Sequence, residues 1–504
     1  MERNIDNKNI VVLGGGTAGW LTALFMKKCL PDYNVTVVRS KEKSIIGVGE
    51  ATTPIFTRML NQLDIDVREV VVETNGTVKN GISFENWNGD GKKYFHGFNE
   101  KIRDFVVKNV FSHDCFHFYL QNAINQKLDF NECTYSAKVS YENKIDLGGI
   151  SYALHFDTNL LSQFLEKKAI LRSINVINGE FKEAVNDEND FITSIILEDG
   201  QTVPVDFIFD CSGLARLLIG KHYNSTWKSY SKHLPMKKAI PFYLPYGENL
   251  PPYTQAIAMK YGWCWKIALK HRYGCGYVFD SDYIDEEQAL QEVKEFFNTD
   301  IQINRVIDFD AGKYETFWVK NCIALGLASS FIEPLESTSI HITCMQLFYV
   351  LQFLNELKRC NDKSIKLFNG MCNSALEDTL NFVYLHYLTK RNDTDFWRDF
   401  RSKHPVPEGF VEQLELIKGA NIRVDNIPFN SVFSLPAFLQ VANGLGIFEK
   451  DFEILNYENL EPSIEHYKQI MELSMQYTPD HKESLNRLVD ELELYRKNSE
   501  KIPL

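Results

Sequence analysis

Short apolar runs separated by turn residues organise the N-terminal part of the chain. The run Asn9–Leu13 is apolar and rich in β-branched residues, and it leads into GGGTAGW and then into the helix-like stretch LTALFMKKCL. A second apolar run, Val35–Val38, follows Pro31. Apolar runs of this length, bounded by Gly and Pro, are typical of buried strands. The pattern predicts a strand, a glycine-rich turn, a helix and a second strand.

The glycine-rich turn has the spacing GxGxxG through Gly14, Gly16 and Gly19. The first glycine allows the tight turn, the second lets the backbone approach a pyrophosphate, and the third lets the helix pack on the strand. The amides at the helix N-terminus then face the phosphates. Between a strand and a helix, this motif predicts dinucleotide binding, and its alternative is a turn without a ligand.

One position departs from this fingerprint. The acidic residue expected about 20 residues later, at the end of the second strand, is absent, and Arg39 and Ser40 stand there. Arg39 either stacks on the adenine or contacts a phosphate, or it is a solvated strand end. The sequence leaves both interpretations open.

Two further apolar runs, Val205–Cys211 and Cys322–Leu327, also end in loops that lead into helical patterns. A nucleotide-binding sheet assembled from separated segments, with a substrate module between them, is characteristic of flavoprotein folds. We therefore expect an α/β fold like that of flavoprotein monooxygenases, in which a Rossmann-type FAD module is intertwined with a substrate module.

The expected organisation has two parts. Residues 1–370 form an FAD-binding core from segments at about 8–60, 150–220 and 310–355, with the substrate module interleaved at about 61–149 and 221–309. Residues 371–504 are largely helical and charged in pattern, and they are expected to complete the substrate site.

Charge and composition narrow the classes of partner. The 504-residue chain has 54 Lys plus Arg against 67 Asp plus Glu, a formal net charge of -13, and 44% of its residues are hydrophobic. This hydrophobic content rules out a disordered chain. The acidity disfavours a nucleic-acid partner, because phosphate binding needs clustered Lys and Arg.

The expected location is the cytoplasm. The N-terminus is polar, and no stretch approaches the ~20 apolar residues that span a bilayer, so neither a secretory signal nor a membrane span is predicted. The ten cysteines are scattered without a CxxC pair, which indicates reduced thiols rather than a disulfide framework.

Eight short motifs follow one another along the chain. They are GGGTAGW (14–20), GVGEAT (47–52), NGTVKNGISFENW (75–87), HFD (155–157), DCSG (210–213), GWCWKI (262–267), GCGYVF (274–279) and EPLEST (333–338). In this order they resemble the flavin-dependent tryptophan halogenase family, from residue 10 to about residue 400. The tandem tryptophans Trp263 and Trp265 resemble the family's WxWxIP signature, with Ala268 in place of its proline.

The resemblance implies FADH2- and O2-dependent halogenation of an electron-rich aromatic compound, such as an indole or a phenol. Hypohalous acid would travel along an internal tunnel to Lys79, and Trp263 and Trp265 would form a wall that keeps an organic substrate away from the flavin. Both tryptophans are equally explained as core residues. Two alternatives stay open at this point, a flavin-dependent aromatic hydroxylase and a non-catalytic FAD-binding protein.

Lys79, Glu336 and Ser337 match the family's catalytic residues. A desolvated ammonium can hydrogen-bond hypohalous acid or form a haloamine, and a neighbouring carboxylate can polarise the halogenating species and accept the proton that the ring loses. Ser337 would support the geometry of Lys79. Without the resemblance, Lys79 would be a solvated charge and Glu336 a charge at a helix N-terminus.

The halide, chloride, bromide or iodide, is expected beside the flavin at Thr338 and Ser339, where amides before a helix form an anion site. The family usually has Gly at the second position, and a backbone angle open only to Gly would not survive at Ser339. We therefore expect bromide or iodide to be used at least as well as chloride. The residues that the resemblance assigns to FAD are Gly14, Gly15, Gly16, Thr17, Ala18, Gly19, Arg39, Glu50, Ala51, Leu327 and Ile340.

The substrate is expected to be a small aromatic compound other than free tryptophan. His96 and Phe98 match a family pair that sandwiches the indole ring. Phe438 and Leu439 stand where the family grips the amino-acid end of tryptophan with two tyrosines. A site without those hydroxyls should not select strongly for the amino and carboxyl groups.

Other partners follow from what the chain lacks. No second GxGxxG suited to NADPH is present, so a separate NAD(P)H-dependent flavin reductase is expected as a transient partner, and the sequence leaves homo-oligomers open. His113, Cys115 and His117 lie close together in SHDCFHF, but no second cluster with ligand spacing follows. A core or tunnel-lining cluster is favoured there, and no metal site is predicted.

Overall fold

The structure of the chain is a computed structural model. It describes residues 8–40, 51–98, 129–247, 249–303, 305–357, 359–419, 422, 424–428, 431–448 and 461–499. Glu50, His113, Cys115 and His117 lie outside the described residues.

Strands are numbered in chain order. Those of the described residues are β1 (Asn9–Leu13), β2 (Asn34–Arg39), β3 (Thr77–Lys79), β4 (Gly81–Glu85), β5 (Lys93–Gly97), β6 (Ala153–His155), β7 (Asn175–Asn178), β8 (Phe181–Asn186), β9 (Ile192–Leu197), β10 (Thr202–Pro204), β11 (Phe207–Asp210), β12 (Trp227–Ser229), β13 (Lys238–Pro245), β14 (Thr254–Ala258), β15 (Gly262–Ala268), β16 (Arg272–Phe279), β17 (Ile307–Asp308), β18 (Gly312–Tyr314), β19 (Trp318–Val319), β20 (Cys322–Ala324) and β21 (Ser330–Phe331).

Helices are numbered in the same way. Those of the described residues are α1 (Thr17–Cys29), α2 (Pro54–Gln62), α3 (Val67–Glu73), α4 (Phe130–Cys133), α5 (Tyr135–Tyr141), α6 (Thr158–Leu171), α7 (Glu286–Phe297), α8 (Thr338–Gln352), α9 (Asp362–His386), α10 (Asp395–Lys403), α11 (Val411–Lys418), α12 (Leu435–Leu445), α13 (Glu461–Tyr477) and α14 (His481–Ser499). None of these helices has the length and apolar character needed to cross a bilayer, within the residues described.

The chain divides into two compact units, each made from three segments. Unit 1 comprises Met1–Thr74, Phe156–Ser231 and Asp310–Glu377, and unit 2 comprises Asn75–His155, Lys232–Phe309 and Asp378–Leu504. The C-terminal segment therefore groups with two earlier segments instead of standing alone. The assignment of FAD to one part and substrate to the other stays a prediction.

The main sheet of unit 1 has six strands in the order β19-β20-β11-β1-β2-β7. β1 is parallel to both of its neighbours, with Val11 opposite Ile208 of β11 and Thr36 of β2. β7 and β20 extend the parallel sheet, and β19 is antiparallel to β20. The central strands are continuous apolar runs because both faces of such a sheet are buried. The expected α/β fold, with its strand, glycine turn, helix and strand, is present.

Helix α1 connects β1 to β2 and packs against α6 and α8. It buries most of its length, from Gly19 to Met26. Trp20 is fully buried and donates from Nε1 to Ser162 Oγ of α6 at 3.2 Å. This packing fixes the N-terminus of α1 at the carboxyl end of β1.

The main sheet of unit 2 has seven strands in the order β17-β13-β16-β15-β14-β4-β5. Its pairs are antiparallel except for β14 with β4. One face packs on an apolar cluster that includes Cys264, Tyr277 and Phe279. Because successive strand residues point to opposite faces, Trp263 and Trp265 of β15 lie on the face away from Cys264. β3 and β6 form a separate two-stranded antiparallel ladder in unit 2.

Candidate functional site

A cavity of about 950 Å³ lies in unit 1 at the carboxyl ends of the parallel strands. Leu13, Arg39 and Cys211, which end or follow β1, β2 and β11, line it. Open α/β sheets bind their ligands at this edge, beside the strand where the order reverses. The predicted FAD residues that line it are Gly14, Gly15, Gly16, Thr17, Ala18, Arg39, Ala51, Leu327 and Ile340.

The three fingerprint glycines occupy three different environments. A Cβ on Gly14, whose φ is +126°, would collide with the carbonyl of Cys211, and one on Gly19 would collide with the carbonyl of Gly14. A Cβ on Gly16 would meet nothing within 4 Å. Gly14 and Gly19 therefore allow close packing of the backbone, whereas Gly16 leaves space for a ligand. Gly19 is not among the residues that line the cavity.

The N-terminus of α1 faces this space. Gly16 is its N-cap residue, and no described side chain caps the helix there. The first amides of a helix have no partner within the helix, so they favour an anion. The turn therefore fits a pyrophosphate group.

Asp210, from the DCSG motif, fixes the part of the cavity wall that follows β11. Its buried carboxylate accepts hydrogen bonds from the amides of Leu218 and Ile219 through Oδ2, and from Ser212 through Oδ1. A buried carboxylate is stable when several donors surround it. These bonds hold Ser212 and Gly213 at the cavity wall.

Arg39 forms an ion pair at the end of β2. Its Nη2 lies 2.7 Å from Glu166 Oε1 of α6, and its Nε donates to Asn178 Oδ1 at 3.0 Å. The Arg39 side chain is 30% exposed. Arg39 is therefore not an unpaired, solvated strand end. Sequence reasoning missed Glu166 and Asn178, because neither belongs to a motif.

The predicted halide loop passes from a short 3-10 turn, Pro334–Glu336, into α8. Glu336 is buried, and Ser337 takes a left-handed conformation with φ 56°. Thr338 is fully buried, and its Oγ1 has no partner among the described residues. Ser337 and Ser339 line the cavity.

The expected conformational problem at Ser339 is not found. Ser339 is the second residue of α8 and is absent from the described residues with positive φ. The left-handed position of this loop is Ser337, two residues earlier. A backbone angle restricted to Gly is therefore not required at Ser339.

Lys79 is the last residue of β3 in unit 2 and is fully buried. β3 pairs with β6, which places Lys79 opposite Ala153. The Nζ atom lies 5.5 Å from the centroid of the Phe98 ring. The backbone supports this contact, because the amide of Phe98 donates to the carbonyl of Asn80, the residue after Lys79, at 3.1 Å.

His155 accompanies Lys79 on the β3–β6 ladder. Thr77 Oγ1 donates to the carbonyl of Ala268 at 2.7 Å, so it accepts from His155 Nδ1 at 3.0 Å. His155 Nε2 accepts from Thr254 Oγ1 at 2.9 Å. Burial, and then electrostatic interaction with Lys79 and His481, hold the pKa of His155 well below its usual 6.5.

His481, the first residue of α14, lies against the same ladder. Its Nδ1 donates to the carbonyl of Leu250 at 2.7 Å, and its Nε2 accepts from the amide of Val78 at 3.2 Å. Burial lowers the pKa of His481 to about 4. Two neutral histidines with defined tautomers therefore lie against β3. His155 belongs to the HFD motif, but its place beside Lys79 was not predicted, and His481 belongs to no motif.

His96 lies on β5 among aromatic rings of unit 2. Its ring centroid is 5.3 Å from that of Phe382 and 6.2 Å from that of Phe433. Phe382 and Phe433 stack on each other at 3.7 Å. Sequence reasoning missed both phenylalanines, since Phe382 follows an ordinary helical apolar pattern and Phe433 lies in a loop.

Phe438 and Leu439 lie on α12 and are fully buried. The Phe438 ring packs edge-on against Phe382, with centroids 4.9 Å apart. Their assignment to the substrate stays a prediction, because such packing also suits ordinary core residues.

Trp263 and Trp265 are both buried, with ring centroids 6.2 Å apart. A Cβ on Gly276, opposite Trp265 in β16, would collide with the Trp265 ring. Trp263 Nε1 has no hydrogen-bond partner in the described part of the chain. Burial suits both a wall and a core, so the two interpretations stay open.

A metal site needs several His, Cys, Asp or Glu side chains close together. Among the described residues, no cluster of three or more His, Cys, Asp or Glu side chains has a suitable arrangement. The nine cysteines of that part of the chain are thiols, and all but Cys29 are buried.

The chain is similar to known proteins over nearly its whole length. The family model described as tryptophan halogenase matches residues 9–457. The tryptophan 7-halogenase KtzQ of Kutzneria sp. (strain 744) is 30% identical over 475 residues, which cover 89% of this chain and 87% of KtzQ.

Two solved structures extend the similarity to the fold. Xcc4156, a flavin-dependent halogenase from Xanthomonas campestris, matches with a TM-score of 0.88 at 29% identity, covering 96% of this chain and 98% of Xcc4156. BrvH, a flavin-dependent halogenase from Brevundimonas sp. BAL3, matches with a TM-score of 0.82 at 27% identity, covering 96% and 99% of the two chains.

Proposed function

Because the chain belongs to the tryptophan halogenase family and is a flavin-dependent halogenase of aromatic compounds, we propose that Lys79 presents the halogen to an indole, a phenol or a similar electron-rich ring. Hypohalous acid would reach Lys79 along an internal tunnel. The hydroxylase and the non-catalytic FAD-binding protein, both left open by the sequence alone, give Lys79 no role.

The burial of Lys79 is the observation that carries this proposal. Lysine is rarely fully buried in folded proteins, because water stabilises its ammonium group. Lys79 is fully buried and close to the Phe98 ring. An ammonium in such a place can donate to hypohalous acid or form a haloamine, and either step fixes the position of the electrophilic halogen.

The cavity of unit 1 fits FAD. The open space at Gly16 and the uncapped N-terminus of α1 suit the pyrophosphate, while Leu327 and Ile340 offer apolar contacts to the flavin ring. Ala51 lines the same cavity, and Glu50 is assigned to FAD by resemblance alone. When bound as FADH2, the flavin would supply, with O2, the oxidising power that converts halide into hypohalous acid.

The start of α8 is proposed to bind the halide. Thr338 offers a buried hydroxyl without a described partner, and the first amides of α8 favour an anion. Ser339 lines the cavity at this point. These donors are compatible with chloride, bromide or iodide.

Glu336 and Ser337 are proposed as the other catalytic groups. A buried carboxylate can polarise the halogenating species and accept the proton released when the ring regains aromaticity. The left-handed conformation of Ser337 turns the chain between Glu336 and α8. Ser337 would thus keep the carboxylate and the halide-binding amides in fixed positions along the loop.

The substrate ring is proposed to stack on His96 and Phe98. Phe382 and Phe433 extend the aromatic surface beside His96. Stacking holds an electron-rich plane without covalent contact. Phe438 and Leu439 would offer apolar contacts where a grip on an amino-acid group needs hydroxyls.

A separate NAD(P)H-dependent flavin reductase is proposed to supply FADH2 as a transient partner. The test incubates the protein with such a reductase, a panel of indoles and phenols, and each halide in turn, and identifies products by mass spectrometry. We expect halogenated rings. Hydroxylated products would establish the hydroxylase hypothesis instead, and FAD binding without any product would favour the non-catalytic protein.

A further inference from the structure

Helix α6 brings a carboxylate to the point where the dinucleotide fingerprint lacks one. The acidic residue that binds a ribose hydroxyl normally ends the second strand, but β2 ends in Arg39. Arg39 Nη2 lies 2.7 Å from Glu166 Oε1, and both side chains line the cavity of unit 1. Glu166 of α6 therefore places a carboxylate where the end of β2 lacks one, although it lies more than a hundred residues later in the chain.

The position of Arg39 is fixed from two sides. Its Nε donates to Oδ1 of Asn178, which is the last residue of β7. Its aliphatic stem lies against Gly15, where a Cβ would come within 2.7 Å of Arg39 Cβ and 2.9 Å of Arg39 Cδ. A guanidinium held in this way orients the carboxylate that it contacts.

The Glu166 carboxylate lies at the cavity wall and is partly open to it. Its side chain is 18% exposed, and its closest contact with Arg39 is made by Oε1 rather than Oε2. An ionised carboxylate accepts hydrogen bonds at both oxygens. Its complement is a hydroxyl donor, whereas a phosphate would be repelled by the negative charge.

We infer that Glu166 binds the ribose hydroxyls of the adenosine half of FAD, and that Arg39 is the positioning residue for its carboxylate. This inference rests on the proposed use of FAD. It also assigns the site a preference for unphosphorylated ribose, because Glu166 neutralises Arg39 and disfavours a 2'-phosphate.

The test measures equilibrium binding by calorimetry, with oxidised FAD and FMN as probes. Glu166→Gln should weaken FAD binding about ten- to a hundredfold, the effect of one charged hydrogen bond. FMN, which lacks the adenosine half, should bind Glu166→Gln and the wild-type protein equally, which also verifies that the variant is folded. Glu69→Gln is the matched control, because Glu69 pairs with Lys168 of α6 at 2.5 Å outside the cavity, and it should leave both affinities unchanged.

A rescue variant sharpens the assignment. Adding Arg39→Glu to Glu166→Gln returns an acid to the end of β2 and should restore most of the lost FAD affinity. In the wild-type protein, AMP should bind more tightly than adenosine 2',5'-bisphosphate, and Glu166→Gln should reduce that preference.

The outcomes separate the two proposals. Equal losses for FAD and FMN, or no loss for FAD in Glu166→Gln, would overturn the role of Glu166 while leaving FAD-dependent halogenation intact. A wild-type protein that binds neither FAD nor FMN would overturn both.

Discussion

Lys79 is accompanied by two imidazoles that do not carry charge. His155 and His481 each hold a proton on Nδ1 and accept at Nε2, as their partners dictate. A protonated histidine here would place a second cation near Lys79 in a buried region, which costs free energy. The two neutral imidazoles therefore add no second positive charge beside Lys79, which is compatible with the proposed presentation of the halogen by its ammonium.

Lys79→Met tests this residue directly. The substitution keeps most of the length of the side chain and removes the ammonium, so we expect halogenated product to disappear while FAD binding persists. The thermal midpoint shows whether the variant keeps the stability of the wild-type protein, so that loss of product is not a loss of fold. The measurements are product by mass spectrometry, FAD affinity by calorimetry and the thermal midpoint.

Lys270→Met is the control for Lys79→Met. Lys270 is also in unit 2, and burial lowers its pKa, but no catalytic role is proposed for it. Its product yield should match the wild type. Undiminished product from Lys79→Met would exclude delivery through Lys79 and favour free hypohalous acid.

Glu336→Gln tests the carboxylate that is proposed as the second catalytic group. The amide keeps the shape of the side chain but cannot accept the ring proton as a base. One positioned acid or base contributes about 10²–10⁴-fold to rate, so turnover should fall within that range while FAD affinity is retained. Full turnover in this variant would remove Glu336 from the catalytic assignment.

At the scale of elements, β1, α1 and β2 were predictable because their signals are local. An apolar run, a glycine spacing and a helical stretch follow one another within 31 residues, from Asn9 to Arg39. β3 and β6 give no comparable signal. They are three residues each and pair Thr77 with His155 across 78 positions, so tertiary packing decides their existence and register.

The backbone of the loop before α8 could also not be predicted from the sequence. The segment EPLESTS predicts a catalytic carboxylate and a halide site, which stay predictions, but it did not predict the backbone conformation of the loop. The left-handed residue is Ser337, and the sequence pointed instead to the non-glycine residue Ser339. The difference matters, because a helical Ser339 keeps its amide directed toward the N-terminal end of α8.

Halide preference can be tested on this element. Bromide and iodide are easier to oxidise than chloride, and the added Ser339 side chain lines the cavity beside the proposed halide position. We expect bromination or iodination at least as efficient as chlorination when equal halide concentrations compete. Ser339→Gly should change the ratio of products without unfolding α8, because Ser339 does not need a restricted backbone angle. A clear preference of the wild-type protein for chloride would contradict the expectation.

At the scale of the whole molecule, each unit is assembled from three distant segments. The sequence indicated which segments of unit 1 carry the cavity, because each apolar strand ends in a loop with chemistry-bearing residues. It did not indicate Glu166, whose helix resembles any other amphipathic helix. Side chains that reach a site from the face of a helix have no characteristic spacing in the sequence, so they can be identified only in the folded structure.

Buried histidines make the stability of the molecule depend on pH. Burial lowers the pKa of His341 and of His481 to about 4, from 6.5. Between these values the unfolded chain binds more protons than the folded chain, so the free energy of unfolding is highest above pH 6.5 and falls as the pH decreases toward 4. Each histidine should account for a loss on the order of 3 kcal/mol.

Denaturant unfolding at about pH 7.5 and at about pH 5 measures this loss. His481→Gln should reduce the difference between the two pH values, whatever its effect at either one. His233→Gln, at a partly exposed position, is the control and should leave the difference unchanged. An unaltered difference in His481→Gln would show that His481 titrates normally in the folded protein.

Substrate breadth depends on unit 2 as a whole. The two positions expected to hold an amino-acid group are Phe438 and Leu439, which have no polar side-chain atom and are buried in α12. Binding would then rest on stacking at His96 and Phe98 and on apolar contact, which discriminates about 10–200-fold per small group. Indole and simple phenols should therefore be halogenated at least as efficiently as free tryptophan, as measured by kcat/KM with the same reductase and halide.

Phe438→Tyr, which adds one hydroxyl, should move the ratio of kcat/KM values toward tryptophan if that position faces the substrate. An enzyme that accepts tryptophan and rejects indole would mean that other residues supply the amino-acid contacts, and that the alignment at Phe438 and Leu439 is wrong.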